Sequence, residues 1–174
     1  MITNILFDLI IFIVALLIAA LLVKKEYSIE RPVAINKARS EVFNYIKLLK
    51  NQDNYSKWVR VDPTAKKDFR GIDGTRGFVY AWDGNKQAGK GEQEIKNIIE
   101  GERIDVEIRF EKPFKNVAEV YMVTESLTEG QTKVTWSMKG KTPYPMNIIN
   151  LFVPNMLGKD LDISLQMLKN TLEK

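Results

Sequence analysis

The chain contains no cysteine and no histidine. Without cysteine there is no disulfide framework, no thiol nucleophile and no thiolate metal site. Without histidine the commonest general base and the commonest metal ligand are both missing, which excludes histidine-based hydrolase triads and imidazole zinc sites. Oxygen-ligand metals call for a dense carboxylate loop, and no loop of the calcium-binding kind is present. Neither a metal nor a cofactor is expected. A basic stripe interleaved with aromatics is missing too. The net charge of +4 is spread along 174 residues, so nucleic acid is not an expected partner. Internal repeats and low-complexity segments are also lacking.

What the chain does have is one long apolar run. Ile5 to Val23 carries a single charge, Asp8, close to the start of the run. About 20 apolar residues in a helix cross the hydrocarbon core of a bilayer. A cleaved leader would need a basic segment before the run and small residues after it. Here Lys24 and Lys25 follow directly. The expectation is an uncleaved single-pass anchor over residues 1–25 in the cell (inner) membrane. Lys and Arg are missing before the span and two lysines follow it, which puts residues 26–174 in the cytoplasm. With 45% hydrophobic residues, those remaining residues can close one core.

The end of the chain organises that core. Ile149, Val153, Leu157, Leu161, Leu165, Leu168 and Leu172 recur at steps of three and four, one stripe of a helix running from Pro145 to Lys174. Pro154 predicts a kink or break near Phe152. Gly158, costly inside a helix, predicts close approach to a sheet or room for a ligand. The partner of the stripe is a run of strands. Glu26–Asn36 reads as a first strand, at an edge because of Pro32, and a helix through Val42, Phe43, Ile46 and Leu49 follows. Lys66–Arg70, Phe78–Asp83, Gly91–Ile99, Arg103–Phe110, Val117–Ser126 and Thr132–Lys141 then succeed one another. Ile104, Val106, Ile108 and Phe110 alternate with Asp105, Glu107 and Arg109, giving one buried and one wet face. Asp83-Gly84, Glu100-Gly101-Glu102 and Glu129-Gly130 read as tight turns, and Gly71, Gly74 and Gly77 as turn glycines, since neither Lys-Ser nor Lys-Thr ends that run.

This order of elements resembles the helix-grip fold of the START/SRPBCC superfamily. Local wording is similar to its polyketide cyclase/dehydrase branch. The similar stretches are Ile35 with Val42-Phe43-Asn44-Tyr45-Ile46, then Tyr55-Ser56-Lys57-Trp58, and Gly89-Lys90-Gly91 with Glu94-Ile95. Thr132-Lys133-Val134-Thr135-Trp136 with Gly140, and Gly158-Lys159-Asp160 running to Leu165 and Leu168-Lys169, complete the set. The resemblance implies an α+β domain: a curved antiparallel sheet of about seven strands around the closing helix, with an apolar cavity for a hydrophobic small molecule or lipid.

Trp58, Phe78, Tyr80, Trp82, Phe110, Trp136, Met138, Tyr144, Phe152 and Met156 are the expected cavity lining, with Tyr80, Tyr144 and the Trp136 indole as its polar groups. Trp136 is expected to border the hollow, so that its loss weakens binding more than stability. Two functions compete. One is a membrane-tethered module that holds an apolar ligand. The other is a cyclase- or dehydratase-like enzyme using Tyr, Asp or Arg groups in the same cavity. The missing histidine and cysteine favour the first. Glu92, Glu94, Glu107 and Glu119 read as a solvated sheet face, Asp160 as a minor polar contact, and the basic stretch from Lys47 to Arg76 as a segment turned toward the bilayer.

Overall fold

The computed structural model describes residues 2–174, with side-chain surroundings from Ile5 onward. Helix α1 (Ile2–Leu22) leads into strand β1 (Glu26–Ile35). Three short helices follow: α2 (Arg39–Ile46), α3 (Gln52–Tyr55) and α4 (Lys57–Arg60). The strands are β2 (Lys66–Arg70), β3 (Val79–Asp83), β4 (Lys90–Ile99), β5 (Arg103–Lys112), β6 (Asn116–Thr128) and β7 (Gln131–Lys141). A 3-10 segment, Met146–Leu151, precedes the closing helix α5 (Val153–Leu172). The sheet is curved, antiparallel throughout and ordered β1-β7-β6-β5-β4-β3-β2. Six successive strands form a meander, and β1 closes beside β7, leaving β1 and β2 as edges. Pro32 therefore sits on an edge strand, where its missing N–H breaks no inner ladder.

The inner face of the sheet carries the alternating apolar residues and packs on α5. Leu161, Leu165 and Leu168 of α5 are buried against Ile29 and Ile35 of β1 and Ile95, Ile104 and Val134 of the central strands. The helix breaks where Pro154 demanded it. Phe152 is the residue before α5, and Pro154 occupies the first turn, where a missing donor is harmless. Gly158 is explained by a side chain from β1: a Cβ at this position would collide with the Arg31 guanidinium, which crosses beneath the helix to Asp162 at 3.3 Å. Close approach to the sheet is thus the reason for this glycine.

Two loops differ from the sequence reading. Asp83-Gly84 does not close a two-residue hairpin. Residues 84–89 form the loop, because the Asn85 carboxamide oxygen accepts from the Gln87 and Ala88 N–H groups and holds a wider turn. The basic stretch from Lys47 to Arg76 is divided between the two ends of the sheet, with Lys66 paired to Asp83 at the α1 end. Asp73 accepts from the N–H groups of Leu49 and Lys50, and Lys47 pairs with Glu100 in the β4–β5 turn. The strand register puts that turn at the far end of the sheet from the start of β1. Gly71, Gly74 and Gly77 all have positive φ, at +88°, +77° and +85°, as a tight β2–β3 connection requires.

On the outer face Arg109 gathers Glu92, Glu94 and Glu107, while Arg70 also reaches Glu92. Partial burial works against ionising Glu92, but the Arg109 and Arg70 guanidiniums outweigh it and hold the carboxyl below the usual range. The Arg109 hydrogen bond does the same for Glu94. These carboxylates form an ion-pair lattice tying β2, β4 and β5 together. They do not form an acid–base pair, because such a pair needs environments that push the two pKa values apart.

Candidate ligand-binding site

The ten aromatic and sulfur side chains expected to line a cavity fall into three groups. Phe78, Tyr80, Trp136 and Met138 are buried on the inner face. Trp58, Trp82 and Phe110 are half-buried; Trp58 and Phe110 pack on that core, and Trp82 packs on Phe110. Tyr144, Phe152 and Met156 stand outside it, 40%, 71% and 59% exposed. For Phe152 the break that it marks is responsible. It turns the 3-10 segment away from the inner face, so the apolar stripe that reads as continuous in sequence is split in space.

The inner face is sealed at one end and open at the other. Along β5, Ile104 and Val106 are buried, whereas Ile108 and Phe110 are half-exposed. Along β3, Phe78 and Tyr80 are buried and Trp82 is half-exposed. Along α5, Leu161, Leu165 and Leu168 are buried and Leu157 is not fully so. In all three elements the opening lies toward the end where α1 joins the sheet. Its floor is Trp82 and Phe110, whose rings meet edge-on at 6.1 Å. Gly91 between them is obligatory. A Cβ there would lie 2.6 Å from the Arg109 carbonyl oxygen and 2.8 Å from the Trp82 ring. The Trp82 indole N–H donates to the Ala88 carbonyl at 3.0 Å, which fixes the ring over the glycine.

Deeper inside, α3 and α4 supply polar groups. Tyr55, which sequence reasoning left out of the lining, is fully buried and meets Trp136 edge-on at 5.9 Å; Trp58 meets the same indole at 6.0 Å. The signal was present, since Tyr55 stands in the Tyr55-Ser56-Lys57-Trp58 stretch. Neither the Tyr55 hydroxyl nor the Trp136 indole N–H has a hydrogen-bond partner among the described residues. Burial pushes the Tyr55 phenol far up, so it stays a neutral donor. Tyr80 is also held neutral, first by burial and then by the Asp53 carboxylate that accepts its O–H at 2.7 Å; Asp53 in turn pairs with Lys67 at 2.7 Å. Gln93 donates to Gln52 at 3.0 Å inside the core. Asp160 finds its partner in Lys57 of α4, and Ser164 accepts from the Lys57 N–H at 3.0 Å. These bonds latch α4 onto α5.

No protein-family model matches the chain, and no curated protein matches it. Solved structures do. CV1439 from Chromobacterium violaceum superposes with a TM-score of 0.61 at 12% identity, over 84% of this chain and 97% of that one. Ara h 8.0201 gives 0.57 at 15% identity over 84% and 97%. Norcoclaurine synthase from Thalictrum flavum, solved with dopamine and hydroxybenzaldehyde, gives 0.63 at 8% identity over 84% and 86%. At such identities the likeness carries the fold. The strand order, the gripped helix and these superpositions agree: the chain has the START/SRPBCC-type helix-grip fold, with an apolar helix in front of it.

Proposed function

We propose that the protein is a membrane-anchored binding module that holds a hydrophobic small molecule or lipid between the sheet and α5. The observation that carries this reading is the open half of the inner face, where Trp82, Phe110, Ile108 and Leu157 remain half-exposed although Tyr80, Val106 and Leu161, the next inner-face residues along the same elements, are buried. Apolar clefts lined by aromatics with a few polar groups are the usual form of small-molecule sites. A fold of this kind accommodates dopamine and hydroxybenzaldehyde in norcoclaurine synthase.

The test is mass spectrometry of lipophilic material extracted from the purified protein, followed by titration with a fluorescent fatty-acid analogue. Trp82→Ala and Phe110→Ala each lower the affinity roughly tenfold, or about 1.4 kcal/mol. Affinities unchanged in both variants would remove this cleft as the site.

In the same reading α1 spans the bilayer and residues 26–174 lie in the cytoplasm. Its support is the run Ile5–Leu22, long and apolar enough to cross, and the two lysines that follow. A C-terminal reporter active only in the periplasm stays dark. A bright reporter reverses the orientation.

A further inference from the structure

We infer that the end of the domain next to α1 is a fixed membrane-docking face, and that the open half of the inner face is thereby turned toward the leaflet from which it loads. The inference rests on the reading of α1 as a span.

The first observation is a clasp. The Asn147 side-chain amide, fully buried, donates to the carbonyls of Ala20 at 2.6 Å and Val23 at 2.7 Å. The Asn150 amide donates to the carbonyls of Lys24 and Lys25 at 3.0 Å each. The last carbonyls of a helix have no partner within it, and here the 3-10 segment supplies partners. The domain is therefore held against the end of α1 and does not swing on a linker. Ala20 lies within the apolar run Ile5–Leu22. Whatever touches Ala20 lies at the depth of the last turn of the span, so the 3-10 segment sits at the bilayer interface.

The second observation is what that depth displays. Ile149, Leu151, Phe152 and Met156 flank the clasp and are exposed, Phe152 by 71%. Phe114, 73% exposed, tips the β5–β6 turn. The register puts this turn at the same end, since Phe110 pairs with Asn116 and Glu26 with Lys141. An apolar patch continuous with a span has lipid as its natural cover.

The third is charge. Lys24, Lys25 and Lys141 line a surface hollow in which Glu26 is the one carboxylate. Lys112 and Lys115 flank Phe114, and Lys86 lies in the β3–β4 loop at the same end. Lysines ringing exposed aromatics suit an interface with anionic headgroups.

The native chain has no cysteine, so single cysteines carry unique labels. The full chain is reconstituted in phosphatidylcholine–phosphatidylglycerol vesicles containing doxyl-labelled lipid. An environment-sensitive fluorophore is placed at Phe114→Cys, Phe152→Cys, Ile72→Cys, Leu127→Cys or Val14→Cys. The labels at 114 and 152 shift to the blue and are quenched by doxyl groups near the headgroups. Those at 72 and 127, on the far end, remain water-like. The label at 14 is quenched by deep doxyl groups. If the label at 14 is quenched but those at 114 and 152 match those at 72 and 127, the docking face is refuted and the span stands. If the label at 14 is not quenched, the span fails and the inference with it. Loading is read separately, as transfer of the fluorescent fatty-acid analogue from vesicles. The paired substitution Phe114→Asp and Phe152→Asp slows transfer from vesicles and leaves the affinity for the analogue in solution unchanged. Equal transfer rates would overturn the leaflet-loading part.

Discussion

Replacing Trp136 by alanine lowers the unfolding free energy by about 3–5 kcal/mol. The sequence alone suggested a smaller loss, because a ring bordering a hollow already lacks neighbours. The structure leaves Trp136 only 3% exposed, with Tyr55 edge-on from one side and Trp58 from another. Truncation removes the buried ring area and leaves a void that α3, α5 and β7 cannot jointly close, because each is fixed elsewhere. α3 is held by the Gln52–Gln93 bond, α5 by the leucines on the sheet, and β7 by ladders on both sides. Urea unfolding of the full chain in detergent micelles, followed by near-ultraviolet circular dichroism, reads the change. A loss below about 1 kcal/mol, the size of an ordinary surface substitution or little more, would show that the indole borders empty space.

Leu165→Ala costs about 2–5 kcal/mol by the same mechanism. Leu165 is 1% exposed, midway along α5, and belongs to the cluster joining the helix to both edges of the core. Leu157→Ala, two turns earlier on the same stripe, produces a much smaller loss, because that side chain is half-exposed at the open end. The contrast is the informative quantity. Both residues are leucines on one helix face, so propensity and side-chain entropy are matched, and the difference measures how far the grip extends. Equal losses at the two positions, measured by the same urea titration, would mean that the inner face is sealed along its whole length and that the cleft proposed here does not exist.

Much of this architecture is local information. The alternation of Ile104, Val106, Ile108 and Phe110 with Asp105, Glu107 and Arg109 specifies a strand with one wet face wherever it is placed. The break at Phe152 follows from the missing N–H of Pro154, and the positive φ of Gly71, Gly74 and Gly77 from turns that a side chain would strain. The leucine stripe of α5 and the apolar length of α1 are likewise properties of consecutive residues. What consecutive residues do not encode is which distant group fills the space beside them. Gly158 reads the same whether a ligand, a strand backbone or the Arg31 side chain approaches, and only the pairing of β1 with β7 brings Arg31 there. Asp160 meets Lys57, Asn147 meets Ala20, and Tyr55 meets Trp136 across separations in sequence that no periodicity spans. The aromatics make the same point most sharply. Trp82, Trp136 and Phe152 are alike as apolar residues in apolar segments, and the sequence alone places each with the core or its rim without distinguishing them. Whether each is half-open, sealed or exposed at the α1 end was decided by the neighbouring elements: Gly91 and Phe110 under Trp82, α3 and α4 over Trp136, and a helix that restarts one residue after Phe152. Burial depends on the whole set of contacts, and those contacts exist only once the sheet has closed on α5.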